Sequence, residues 1–168
     1  NYGSILMTLT SAAKTFNLSG CQNGFLIISD PALRQKYDEA ARRLHLTEGG
    51  SFGYIAVQAA YQGGRAWLEK ALQLIRDNYV CLREELSQSL PEAVISPLEG
   101  TYLAWVDLSR AVQKGRVKEL VLNRCGLAVD FGEWFGGREY EGYIRINLAT
   151  SREKVKEIAD RLRLLKEE

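Results

Sequence analysis

The chain has 168 residues, 46% of them hydrophobic, enough for one ordinary domain or a small domain with an appendage. Its 22 Lys and Arg stand against 21 Asp and Glu, a net charge of +1 with both signs interleaved on the apparent helix faces, so a nucleic-acid partner is not expected. No apolar run reaches the roughly 18 residues of a membrane span, and no charged-then-apolar leader opens the sequence, so the expectation is a soluble cytoplasmic protein with no membrane partner.

In chain order, the apolar run Ile5-Leu6-Met7-Thr8-Leu9 reads as a strand leading into Thr10-Ser11-Ala12-Ala13-Lys14-Thr15-Phe16-Asn17-Leu18. Asp30-Pro31 opens a helix, Asp as cap and Pro in the first turn. Leu33, Tyr37, Ala40, Ala41 and Leu44 give that helix one apolar face to about residue 45. Gly49-Gly50 breaks it, and Ser51 is expected to cap a second helix that carries Phe52, Ile55, Ala56, Ala59 and Ala60 and ends at Gly63-Gly64. From Arg65 a longer helix follows the stripe Leu68, Ala71, Leu72, Ile75, Tyr79, Leu82 and Leu86 until Pro91 stops it.

Beyond Pro91 the texture becomes mixed. Residues 100–108 are aromatic and apolar enough for a buried strand, residues 110–125 are expected to be helical, and Leu127-Ala128-Val129 is a short strand candidate. The segment from Gly142 to Ala149 alternates, with Ile144, Ile146 and Leu148 on one face and Tyr143, Arg145 and Asn147 on the other. Thr150-Ser-Arg-Glu153 has the pattern of a capping box before a last helix. Three unpaired, widely spaced cysteines, Cys21, Cys81 and Cys125, read as free thiols. His45 is the single histidine, and no triad or metal cluster can be assembled around it.

Two residues stand out chemically. Lys14 lies among small and hydroxyl side chains at a strand end, where partial burial by Ala12, Ala13 and Phe16 is expected to destabilise its ammonium form and favour a nucleophilic amine. Ser-x-x-Lys also occurs in penicillin-binding proteins, where the serine is the nucleophile. Arg145, on the polar face of an apolar strand, can offer paired N–H donors to a carboxylate, or equally sit in a surface ion pair.

Together Ser11-x-x-Lys14-Thr-Phe-Asn and Tyr143-Ile-Arg-Ile-Asn-Leu-Ala149 resemble two segments of fold-type I pyridoxal phosphate enzymes, the class I/II aminotransferases and especially their cystathionine β-lyase (C–S lyase) branch. The stretches Glu99–Asp107, Gly132-Glu-Trp-Phe-Gly136 and Ser51–Ala56 are similar to that family's in the same order. The resemblance implies an α/β to α+β fold. Residues 1–62 would end the large cofactor domain, residues 63–91 would form an inter-domain helix, and residues 92–168 a small α+β domain.

It further implies that Lys14 forms the internal aldimine with pyridoxal 5'-phosphate and shuttles the α-proton. Ser11 would bind the cofactor phosphate, Arg145 the carboxylate of an amino-acid substrate, and Ser51 or Tyr54 would approach the cofactor of the second subunit of a homodimer. Gln22 stands where aspartate aminotransferases carry a phosphate-binding arginine, which points to the lyase branch. The family's ring-nitrogen aspartate precedes its lysine, whereas Asp30, Asp38, Asp77, Asp107, Asp130 and Asp160 all follow Lys14. The expectation is therefore a fragment, inactive alone, of a C–S lyase. The alternatives are an aminotransferase and a non-catalytic binding or regulatory domain of the same fold.

Overall fold

The computed structural model describes residues 2–46 and 50–166; Gly49, half of the expected helix break, lies outside them. The chain divides into two compact units, Asn1–Lys70 and Ala71–Glu168.

In the first unit β1 (Met7–Thr10) pairs antiparallel with β2 (Phe25–Ile28), Thr10 opposite Phe25. Helix α1 (Pro31–Arg43) starts as its sequence dictates, with Asp30 accepting from the Leu33 amide at 2.8 Å. It stops two residues earlier than expected, because Leu44 takes up the cap and His45 turns to a left-handed φ of 53°. Helix α2 (Ser51–Gly63) has Gly50 as N-cap with no side-chain cap hydrogen bond, so Ser51 is its first residue rather than its cap. Gly53 lets α2 approach the preceding segment closely, since a Cβ there would lie 2.8 Å from the Cys21 carbonyl oxygen. Helix α3 (Arg65–Ser89) runs on, as its stripe demands, almost to Pro91.

The second unit takes in the later turns of α3. Strands β3 (Val94–Ile95), β4 (Leu103–Asp107), β5 (Asp130–Phe131) and β6 (Tyr143–Asn147) form one sheet in the order β3-β4-β6-β5, antiparallel throughout. Short helices α4 (Val117–Glu119) and α5 (Glu133–Gly136) lie between strands, and α6 (Arg152–Leu162) closes the unit. Ala104, Val106, Ile144 and Ile146 line the inner face of the sheet and are fully buried with Leu82 and Leu86 of α3 and Val155 and Leu162 of α6. Burying each of the valines, leucines and isoleucines among them favours folding by about 1.5–3 kcal/mol.

Three expectations change. The single helix read over 110–125 is α4 continued by a wide π-helical turn at Leu120–Arg124. Val117 and Val121 are completely buried there, so the core, not helix periodicity, fixes the winding. The strand expected at 127–129 forms instead at Asp130–Phe131: Gly126 reverses the chain at a φ of 61°, and strand pairing to β6 resumes only at Asp130. At α6 the cap is Ser151, which accepts from Lys154, rather than a box begun by Thr150. Among the described residues no helix is long and apolar enough to cross a membrane.

Asn78, wholly buried on α3, donates from Nδ2 to the carbonyls of Leu148 at 2.9 Å and Thr150 at 2.8 Å, clasping the chain where it leaves β6. Replacing Asn78 with Ala leaves two carbonyls without their donor, an expected loss of about 2 kcal/mol measurable as a lower urea midpoint. Asn78→Asp, which turns an acceptor toward those oxygens, is expected to cost more. An unchanged midpoint for both variants would contradict this role.

Candidate functional site

Lys14 follows β1 in a turn fixed at both ends. Ser11 Oγ donates to the Asn23 carbonyl at 2.7 Å and accepts from the Ala13 amide at 3.0 Å, which ties the turn to the segment before β2. Ala12 is fully buried, and the Phe16 and Leu18 amides return to the carbonyls of Ala12 and Ala13. Phe16 packs edge-on against Tyr61 with centroids 5.6 Å apart and also meets Trp67. Gly64 makes room for this ring, since a Cβ there would come within 2.8 Å of it.

Lys14 itself is exposed. This corrects the expected partial burial: Ala12 and Phe16 turn into the unit, and the lysine turns out of it. The structure thus brings Ser11 and Lys14 into one turn. Tyr54 and Ser51 lie on the first turn of α2, both exposed, and Gln22 is exposed with a left-handed φ of 47°.

In the second unit the alternation of β6 places Tyr143 and Arg145 on the outer face of the sheet. Arg145 lies opposite Trp105 on one side and Asp130 on the other. Its Nε donates to Asp130 Oδ2 at 3.0 Å and its Nη2 to the same oxygen at 2.5 Å. The guanidinium carbon stands 4.3 Å from the Phe135 ring centroid, a cation–π stack. Trp105 stacks on Tyr143 at 5.5 Å and meets Phe135 and Tyr140, so an aromatic wall surrounds the arginine. Arg145 therefore does form an ion pair, half-buried on the outer face of the sheet, with a partner that only the sheet register identifies. Asp130 and Phe135 are the contacts of Arg145 that local sequence did not identify; the strand shift to Asp130 is what concealed the first.

Gly132 permits the turn that carries Phe135, because a Cβ there would lie 2.7 Å from that of Tyr143 and collide with the Tyr140 carbonyl. The Tyr143 phenol is pushed up from its ordinary value, first by its hydrogen bond to Asp107 and then by the negative charge of that carboxylate, both of which favour the neutral phenol.

The chain matches the family described as aminotransferase class I and II over residues 1–162. The chain belongs to that family. Cystathionine beta-lyase PatB of Bacillus subtilis is 28% identical over 152 residues, which cover 90% of this chain and 39% of PatB. Among solved structures, cystalysin of Treponema denticola, which contains pyridoxal 5'-phosphate, superposes with a TM-score of 0.89 at 25% identity, over 98% of this chain and 42% of cystalysin. The pyridoxal-phosphate-bound C–S lyase of Staphylococcus hominis gives a TM-score of 0.84 at 30% identity, over 97% and 39%. Within the class I and II aminotransferase family the chain is thus C–S lyase-like, and its mixed helix-and-strand fold is the family's. It spans about two-fifths of the length of these relatives.

The contact of Tyr143 with Asp107 carries a pH signature. A phenol whose native value is raised stabilises the fold in full below the unfolded tyrosine range, and loses that contribution as pH rises through the raised native value. In an ultraviolet titration of tyrosinate formation Tyr143 should ionise late, and Asp107→Asn should bring its ionisation down toward the ordinary range. A titration curve identical in the two proteins would exclude the contact.

Proposed function

We propose that this sequence supplies the lysine and the carboxylate-binding arginine of a pyridoxal-phosphate-dependent enzyme that cleaves the C–S bond of cystathionine or a similar cysteine conjugate. With water consumed, the products are a thiol, pyruvate and ammonia. The observation that carries this reading is the likeness, along nearly the whole chain, to pyridoxal-phosphate-bound C–S lyase structures, in a chain whose Lys14 amine is exposed in a fixed turn.

The donor set fits the cofactor. Lys14 offers a primary amine to an aldehyde, and Ser11 in the same turn offers a hydroxyl to a phosphate once its proton leaves the Asn23 carbonyl. When bound, pyridoxal phosphate supplies an electron sink for the pair released from the α C–H bond. The residues of the chain do the rest. Lys14 Nζ anchors the cofactor and then receives the α-proton, the two roles that an amine nucleophile and base can combine. Arg145 takes the α-carboxylate through paired, charge-assisted N–H donors and so fixes the direction of the Cα–H bond. A homodimer belongs to the same proposal: Phe52 and Ile55 on α2, next to Tyr54, are exposed apolar side chains that a second copy would cover.

Transamination is the second reading, favoured by the family match itself. The neutral Gln22 supports the lyase. In the enzyme of relatives' length that carries this sequence, L-cystathionine should release pyruvate faster than a 2-oxo acid acceptor is converted to an amino acid; the reverse ratio would assign the protein to transamination. Arg145→Lys should weaken amino-acid binding by about 1.5–3 kcal/mol, read as a raised KM. An unchanged KM would remove Arg145 from the site.

A further inference from the structure

The geometry points to Asp130 as a positioning residue for the substrate carboxylate, acting through Arg145; this rests on the reading of Arg145 given above. A guanidinium has two edges on which a carboxylate can lie. One is the side edge formed by Nε–H and the nearer Nη–H, and the other is the end edge formed by one N–H from each Nη. Asp130 Oδ2 takes the side edge, accepting from Nε at 3.0 Å and Nη2 at 2.5 Å. Among the described residues Nη1 makes no hydrogen bond, so the end edge keeps both of its donors. Asp130 thus leaves the donors of the end edge for an incoming carboxylate.

Two independent contacts then define the guanidinium completely. The face of Phe135, 4.3 Å away, sets its plane, and Asp130 sets its rotation within that plane. A long arginine otherwise spends rotamer entropy each time it orders around a ligand. Asp130 is the cross-strand neighbour of Arg145 on β5, so the clamp is built into the sheet and does not depend on a mobile loop. Its side chain is 42% exposed, and water screens its repulsion of a second carboxylate while the two hydrogen bonds to Arg145 persist. Orientation therefore outweighs charge.

The test uses the pyridoxal-phosphate-loaded enzyme of relatives' length, with L-cystathionine kinetics and with calorimetric binding of propionate, a carboxylate that cannot react. Asp130→Ala should raise KM and the propionate Kd about tenfold, with kcat nearly unchanged, as expected for a misplaced binding group. Asp130→Asn keeps an acceptor without the charge and should recover most of the affinity. In an Arg145→Lys background Asp130→Ala should add nothing, because the residue acts only through the arginine.

Tighter binding in Asp130→Ala and Asp130→Asn alike would show that Asp130 competes with the substrate, and would overturn the proposal. So would unchanged affinity, or an equal loss in the Arg145→Lys background. If Arg145→Lys alone leaves KM and propionate binding unchanged, the reading of Arg145 falls first, and the inference with it.

Discussion

Strand β6 must hide one face completely, and the outer face of its sheet follows from that requirement. Ile144 and Ile146 are buried to within 1% of total exclusion, together with Ala104 and Val106 of β4. With a side-chain period of two, burying these residues forces Tyr143 and Arg145 to the opposite side. A slip of one residue would send a guanidinium into the core, where an unpaired charge is far more costly than a lost methyl contact. The burial of two isoleucines is thus what fixes the direction of Arg145. Asn78 reinforces the placement from α3, by holding the carbonyls of Leu148 and Thr150 just after the strand ends.

The Lys14 turn follows another logic. Little apolar surface is available in so short a segment, and a serine hydroxyl that bridges the Asn23 carbonyl and the Ala13 amide takes the place of a core. Buried Ala12 and the seat of Phe16 beside Gly64 orient the turn, and the lysine between them remains outside. Rigidity of the backbone is combined with exposure of the amine. Such a combination suits a residue that must meet a bound molecule.

Local patterns in the sequence disclosed the helices well. The Asp30-Pro31 start of α1, the stripe of α3 and the alternation of β6 each depend on neighbours within one or two turns or along one strand, so a local reading suffices. What escaped is non-local. The pairing of β1 with β2, the two-residue β3 and the position of β5 depend on registers between distant segments. The π-helical turn at Leu120–Arg124 answers to the burial of Val121 rather than to any local signal. The same limit applies to the site. Lys14 and Arg145 were legible as candidate residues, whereas the exposure of Lys14 and the partnership of Arg145 with Asp130 and Phe135 emerge only once strands and turns are in place.

Lys14 is the residue proposed to carry the cofactor. The most direct test of that role is borohydride reduction of the pyridoxal-phosphate-loaded enzyme of relatives' length, followed by peptide mapping by mass spectrometry. A reduced pyridoxyl group on Lys14 alone is the expected result; a stoichiometric adduct on Lys36 or Lys70, with Lys14 unmodified, would contradict it.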